Sequence, residues 1–135
     1  MTVPMSLSQQ RKLPPTRRVL PWLAVLAARA LARTSPRRIR AVLGFVRRRA
    51  APATAAQALA AREDVVAVSL LCAGQFCLQR SLATALLCRL RGVWPTWCSG
   101  VRTAPFGAHA WVEVDGQPVG EPHGCAAYRR IITVR

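Results

Sequence analysis

The stretch CLQRSLATALLCRLRGVWPTWCSGVR, residues 77–102, contains the change of pattern that determines the fold. Its first half consists of strong helix formers, with Leu78, Leu82 and Leu86 on one stripe, and Gly92 follows as a helix stop. Its second half is rich in valine and tryptophan, which favour strands. The stretch therefore predicts a helix that leads into a β-sheet.

The sequence before this stretch begins with two predicted helices. Residues 18–33 carry an apolar stripe at helical spacing, formed by Leu20, Leu23, Ala24, Ala27 and Leu31. Ser35 followed by Pro36 is typical of a helix start, and the amphipathic segment RRIRAVLGFVRRR continues from there. The arginines of this segment suit a membrane or partner surface, but we favour an ordinary surface helix packed on a core.

Two further helical segments are predicted before residue 77. Thr54 is a candidate cap for a helix that ends near Ala61. A separate helical piece is predicted from Glu63 to Leu71, with its acids near the positive end of the helix dipole, and Gly74 interrupts the pattern.

The sequence after residue 92 predicts a small antiparallel sheet. Strand patterns cover residues 93–102, AHAWVEV at 108–114, QPVGE at 117–121 and YRRIITVR at 128–135. Pro118 indicates an edge strand. N-terminal helices followed by such a sheet define an α+β fold, with one domain over residues 18–135 and a flexible tail over residues 1–17.

The composition restricts the setting and the partners. A net charge of +15, carried by 19 arginines and one lysine, suits nucleic acid, a membrane surface or an acidic peptide, and equally a solvated basic surface. The five cysteines are odd in number and lack a C-x-x-C, so we expect reduced thiols and no structural metal.

The N-terminal region resembles an export signal in one respect. TRRVLPWLAVLAARA places twin arginines before an apolar run and an A-x-A. Arg29 closes that run after ten residues, from Val19 to Ala28, which is far fewer than the ~20 residues needed to cross a bilayer. We therefore expect a cytoplasmic protein.

Three of the five acids of the chain lie in FGAHAWVEVDGQPVGEP, residues 106–122, beside His109. Asp115-Gly116 is a hairpin signal with two alternatives. A two-residue turn places His109 opposite Pro122, whereas a three-residue loop places it opposite Glu121. We pair His109 with Glu121, which favours the three-residue loop, because opposite side chains lie only ~5 Å apart.

A histidine oriented by a carboxylate is half of a nucleophilic triad. Cys77 is the best candidate nucleophile, because it opens the predicted helix, where the dipole and free N–H groups favour a thiolate and can receive an oxyanion. Structural roles for both residues remain an alternative, because cysteine and histidine are also common in cores.

The sequence resembles the transglutaminase-like cysteine proteases of lasso peptide biosynthesis, in the form in which the protease is a separate chain. The motifs C-L-x-R-S-L-A, W-P-T-W-C, P-F-x-A-H-A-W-V-E and D-G-x-P-V-G-E-P occur in order over residues 77–122, and YRRIITV is also similar. The resemblance implies a papain-like order, with the nucleophile at Cys77 and the histidine at His109. The acid falls on Glu121 where the family usually has Asp, so Asp115 is the alternative acid.

The resemblance also implies the reaction and the partners. The reaction is removal of the leader from a ribosomally made precursor peptide, without a metal or other cofactor. A separate leader-recognition protein delivers the precursor, and an ATP-dependent lasso cyclase then closes the ring. Gln75 is a candidate side-chain donor to the oxyanion, although a polar loop role explains it equally well.

Two other functions are compatible with the same residues. A non-catalytic basic adaptor would bind nucleic acid or membrane through residues 11–49; of these we expect no nucleic acid, and we keep peripheral membrane contact as an alternative. A different acyl transfer, such as deamidation or transamidation, would use the same triad without cleaving the chain. Trp94, Trp97 and Trp111 are candidates for a peptide groove, but we expect at least two of them in the core.

Overall fold

The computed structural model describes residues 14–69, 76–103, 105–121 and 128–135. The helices are a 3₁₀ turn at Pro15–Arg17, then α1 (Val19–Ala32), α2 (Pro36–Val46), α3 (Ala55–Val68) and α4 (Cys77–Leu90). The strands are β1 (Ala51–Pro52), β2 (Val93–Trp94), β3 (Thr96–Thr103), β4 (Phe106–Val114), β5 (Gln117–Pro118) and β6 (Arg129–Val134). The 3₁₀ turn lies where the sequence predicts the end of a flexible tail, and the tail up to residue 13 lies outside the described residues.

The sheet confirms the predicted α+β fold. Four strands form one antiparallel sheet in the order β5-β4-β3-β6, and β1 and β2 form a separate parallel pair. Pro118 lies in the edge strand β5, as predicted, and Pro95 separates β2 from β3. Proline lacks an N–H for ladder pairing, which explains both positions.

The capping residues predicted from the sequence begin two of the helices. The Ser35 hydroxyl accepts from the Arg38 N–H at 3.4 Å, and Pro36 is the first residue of α2. Thr54 and Gln57 form a reciprocal capping box at the start of α3, with contacts of 3.1 and 2.9 Å.

Helix α3 corrects one prediction. The sequence predicts a helix ending near Ala61 and a second piece from Glu63 to Leu71, whereas α3 is continuous from Ala55 to Val68. No glycine or proline lies between the two predicted pieces, so nothing interrupts the hydrogen-bond ladder there. Leu71 and Gly74 lie outside the described residues.

The β4–β5 hairpin corrects a second prediction. Val114 pairs with Gln117 and Glu113 with Pro118, so the connection is the two-residue turn Asp115-Gly116 and the three-residue loop is wrong. Asp115 has φ 53° and Gly116 has φ 76°. Asp-Gly is a favoured sequence for a turn with two positive φ angles, whose twist matches that of the flanking strands.

Helix α4 lies at the centre of the core, against α1, α3 and the sheet. Leu82 is fully buried, and the Trp97 indole donates to the Ser81 hydroxyl at 3.0 Å, which joins β3 to α4. All three candidate groove tryptophans, Trp94, Trp97 and Trp111, are buried with at most 6% exposure. They are therefore packing residues rather than the lining of an open groove.

Helix α1 confirms only part of the predicted apolar stripe, because Ala24 and Leu31 are buried and the rest of the stripe is not. Its buried residues are Pro21, Ala24, Val25, Ala28 and Leu31. Leu20, Leu23 and Ala27, from the predicted stripe, are exposed instead. Because α1 is apolar on nearly all sides, periodicity alone does not single out one face. Among the described residues, no helix is both long and apolar enough to span a bilayer.

Candidate active site

Cys77 is the first residue of α4 and is half-buried. The N-cap residue, Phe76, has no side-chain oxygen to cap the first-turn amides. Helix starts concentrate free N–H groups and the positive end of the dipole, so they stabilise an anion. The position therefore favours the thiolate form of Cys77.

His109 lies on β4 and contacts both of its predicted partners. Its Nε2 atom is 3.0 Å from Oε2 of Glu121, and the Glu121 side chain is only 4% exposed. A second hydrogen bond joins His109 to Cys77. Because Nε2 is used by the carboxylate, Nδ1 is the ring nitrogen left for the thiol. The structure thus brings Cys77, His109 and Glu121 together.

Glu121 reaches His109 by a bend rather than by strand register. In the observed register His109 would lie opposite residue 122, and the ladder continues as far as the Val119 N–H, which donates to the Val112 carbonyl at 2.9 Å. Gly120 then adopts φ 67°, which turns the chain. His109 and Glu121 are therefore in contact, as predicted, but the predicted strand register that was to bring them together is wrong.

The same glycine also makes room for an arginine. A Cβ atom on Gly120 would lie 2.6 Å from Cδ of Arg62, which reaches over from α3. Both the positive φ and this close approach favour glycine at position 120. Arg80, on α4, approaches the other side of the Glu121 carboxylate, with Nη2 4.0 Å from Oε1.

The pKa values of the histidine and the thiol move in opposite directions. Hydrogen bonds to Cys77 and then to Glu121 raise the pKa of His109 to about 9. Burial alone would raise the pKa of Cys77, but hydrogen bonds from His109 and the Ala110 N–H, with the charges of His109 and Arg80, hold it below 9.0. The arrangement therefore favours a thiolate–imidazolium pair.

The pKa of Glu121 is also shifted, toward the ionised form. Burial would raise this pKa, but the hydrogen bond and charge of His109, together with Arg80 and Arg62, lower it overall. The carboxylate therefore remains charged opposite His109, which stabilises the protonated ring.

The other described cysteines lack these features. Burial raises the pKa of both Cys88 and Cys98 to about 11. Cys72 and Cys125, and the candidate oxyanion donor Gln75, lie outside the described residues. Among the described cysteines, only Cys77 has a thiol pKa shifted downwards, which is the direction expected of a nucleophile.

The structure does not bring the alternative acid to the histidine. Asp115 is exposed at the tip of the β4–β5 turn. It is six residues from His109 along the chain, which is roughly 20 Å at the rise of a strand. Its positive φ identifies it as a turn residue.

Sequence reasoning missed two rings that enclose the imidazole. Trp111 stacks on His109 with centroids 5.6 Å apart and planes 15° apart, and Tyr128 packs against His109 at 5.2 Å. The position of Trp111, two residues along the same strand, was a usable signal because such residues share a face. The contact of Tyr128 with His109 cannot be predicted in this way, because it depends on the pairing of β6 with β3, which are distant in sequence.

The site therefore has the elements of a cysteine-dependent acyl-transfer centre: a thiol at a helix start, and a histidine held by a carboxylate on the adjacent sheet. The sequence profile of the transglutaminase-like superfamily matches residues 22–133. The chain belongs to this superfamily, which includes cysteine peptidases. No curated protein and no solved structure matches the chain.

Proposed function

We propose that the chain is a cysteine peptidase that removes the leader from a ribosomally made lasso precursor peptide. The observation that supports this most directly is the contact of His109 with both Cys77 and Glu121, together with the opposed pKa shifts of Cys77 and His109. The family supports a cysteine-dependent reaction. The lasso substrate rests on the motifs of residues 77–122.

In the proposed mechanism, the Cys77 thiolate attacks the carbonyl carbon at the junction between leader and core. The carbonyl oxygen becomes an oxyanion that accepts from N–H groups at the start of α4. Protonated His109 donates its proton to the leaving core amine, the C–N bond breaks, and a thioester with the leader remains.

Hydrolysis of the thioester then regenerates the enzyme. His109, now neutral, takes a proton from a water molecule as the water attacks the thioester carbonyl, and the leader leaves with a free carboxylate. Glu121 keeps Nε2 protonated, so that Nδ1 is the atom that exchanges protons with the thiol and with water. No metal or cofactor enters these steps.

The proposed partners follow from the substrate. A separate leader-recognition protein presents the precursor, and an ATP-dependent cyclase uses the core amine that cleavage releases. Arg37, Arg38, Arg40, Arg47 and Arg48 are exposed on and just after α2, and they offer a basic surface to an acidic partner.

The direct test is to incubate the chain with a candidate precursor, with and without its recognition protein, and to weigh the products. We expect a mass corresponding to the free core. Cys77→Ala should abolish the product, on the order of 10⁴-fold or more in rate, whereas Cys88→Ala is the matched control and should retain it.

The alternative functions give different results in the same test. A product whose mass changes without loss of the leader would indicate deamidation or transamidation. An unmodified precursor, together with salt-sensitive binding that Cys77→Ala does not alter, would indicate a basic adaptor.

A further inference from the structure

A buried carboxylate that the proposed mechanism does not use lies close to the site. The Glu113 side chain is 5% exposed, and it accepts from the Trp111 indole N–H at 3.1 Å. Nη2 of Arg130 lies 2.5 Å from the same oxygen, and Arg130 Nε lies 3.1 Å from it. Burying a carboxylate costs several kcal/mol before such contacts are counted, so this arrangement needs an explanation.

Trp111 connects this carboxylate to the imidazole. His109, Trp111 and Glu113 occupy alternate positions on β4 and so point to the same face of the sheet. The indole stacks on His109 at 5.6 Å, and Tyr128 packs against both rings, at 5.2 Å from His109 and 6.3 Å from Trp111. Because the hydrogen bond from its N–H holds the indole in place, the indole restricts the His109 ring on the face against which it stacks.

The neighbouring strand leaves room for this stack. Gly100 on β3 pairs with His109 on β4. A Cβ atom on Gly100 would lie 3.1 Å from Cη2 of Trp111 and would clash with the Arg129 carbonyl oxygen. A side chain at this position would displace the indole or the backbone of β6. Gly100 therefore mainly allows β6 to pack closely against β3, and it also leaves space for the Trp111 ring.

We propose that Glu113 is a positioning residue: by accepting from the Trp111 indole N–H, it holds the ring against His109 and so fixes the plane of the imidazole. This inference rests on the proposed role of His109. Glu113 does not touch the reacting atoms, and Arg130 neutralises its charge. It acts through the orientation of the indole rather than through its own field at the thiol.

The ion pair at the site depends on that orientation. His109 faces the Cys77 thiol and the Glu121 carboxylate, with Arg80 and Arg62 behind the carboxylate. An imidazole that tilts away from this plane weakens both of its hydrogen bonds. The Cys77 thiol would then lose its main stabilising contact, so less thiolate would be present at low pH.

Two substitutions at Glu113 distinguish the role of its hydrogen-bond acceptor from the role of its buried charge. Glu113→Met is nearly isosteric but removes the acceptor, and Arg130, whose side chain is 49% exposed, can turn to solvent. Glu113→Gln removes the charge but keeps an acceptor for the indole. We expect Glu113→Met to lower kcat about ten-fold at unchanged KM, since misplacement of catalytic groups is costly, and Glu113→Gln to retain most activity.

A second measurement needs no substrate. The rate at which iodoacetamide modifies Cys77 should fall in Glu113→Met at pH 6, because the thiol pKa rises, and should remain near that of the unmodified chain in Glu113→Gln. A thiol shift without any peptidase activity would support this inference and count against the proposed function. The two ideas can therefore fail separately.

The matched control is a buried acid–arginine pair away from the site. Asp64 lies 2.6 Å from Arg91 near the far end of α4, which is about 20 Å long. Asp64→Leu should lower thermal stability and leave the Cys77 alkylation profile unchanged. If Glu113→Met behaves in the same way, with normal thiol titration and kcat, Glu113 is only structural and the proposal is wrong.

Trp111→Phe keeps the test decisive if Glu113→Met does not fold. This substitution retains a stacked ring but removes the N–H, so it should produce the same loss of kcat and the same slower alkylation. Where both variants fold, the double variant should be no slower than either single one, because both break the same link. Additive losses would show that Glu113 acts independently of the indole.

Discussion

The two ends of α4 each bring together a buried carboxylate and an arginine, but they differ in what the carboxylate faces. At the start of the helix, Glu121 faces His109 at 3.0 Å, and Arg80 stands 4.0 Å away. At the end of the helix, Asp64 faces Arg91 directly at 2.6 Å. The first acid stabilises a group that gains and loses a proton at about pH 9, whereas the second is paired with a permanent charge.

This difference indicates how the fold separates chemistry from stability. The start of α4 assembles groups whose pKa values depend on one another. The end of α4 instead ties elements together: Arg89 donates to the carbonyls of Val46 and Arg48 at 2.7 and 3.3 Å, and Arg91 holds α3. Substitutions at the two ends should therefore affect different measurements.

The largest expected difference is in thiol reactivity. The pKa of Cys77 lies below 9.0 and that of Cys88, farther along the same helix, is about 11. At pH 7 only about 10⁻⁴ of Cys88 is ionised, so iodoacetamide should modify Cys77 first by a wide margin. Peptide mapping after a timed reaction measures this, and equal labelling of Cys77, Cys88 and Cys98 would contradict it.

The alkaline side of the pH profile follows from His109. Its folded pKa of about 9 lies above the ordinary histidine pKa of 6.5, so the protonated ring that stabilises the thiolate persists below pH 9 and is lost as the pH rises through about 9. Peptidase activity, which needs this proton for the leaving amine, should fall over the same range.

The next effect concerns the acid. Glu121→Gln retains size but removes the charge that stabilises the imidazolium, so turnover should fall on the order of 10² or more. Asp115→Asn is the control and should cost little, because Asn also tolerates the φ of 53° at the turn. Harmless Glu121→Gln with inactive Asp115→Asn would mean that the carboxylate assignment is wrong.

These two acids also show how far the sequence could lead. The Asp115-Gly116 dipeptide is compatible with the observed two-residue turn, whereas direct pairing of Glu121 with His109 across the ladder requires a register one residue away. The actual contact depends on a positive φ at Gly120, beside Arg62 from a distant helix. Local sequence patterns do not predict this bend, because it depends on packing between residues that are distant in sequence.

Helices show the same division between local and tertiary information. Helix α4 and the capped starts of α2 and α3 follow from local sequence, because propensities and capping residues agree there. The buried face of α1 does not. This helix has apolar residues on most sides, so its packing against α4 and α3 decides which face is buried, and that face includes the small residues Ala24 and Ala28.

A smaller effect should come from the bend itself. Gly120→Ala places a Cβ 2.6 Å from Arg62 and costs about 1–2 kcal/mol for the left-handed backbone, so Glu121 should retract and kcat should fall about ten-fold. Gly44→Ala in α2 is the matched control. A Cβ there meets nothing within 4 Å, so stability should rise by about 0.5–1 kcal/mol and kcat should not change.

The smallest effect on activity should come from the far end of α4. Asp64→Asn removes the charge that holds Arg91, whose side chain is 34% exposed. We expect a loss of about 1–2 kcal/mol in the free energy of unfolding, because the hydrogen bond from Arg91 loses its charged acceptor and solvent already screens part of that charge. Urea denaturation measures this loss. Turnover of the precursor and the Cys77 alkylation profile should remain unchanged, because the site depends on Glu121 and His109 at the opposite end. A shifted thiol profile in Asp64→Asn would show that the two ends of the helix are coupled.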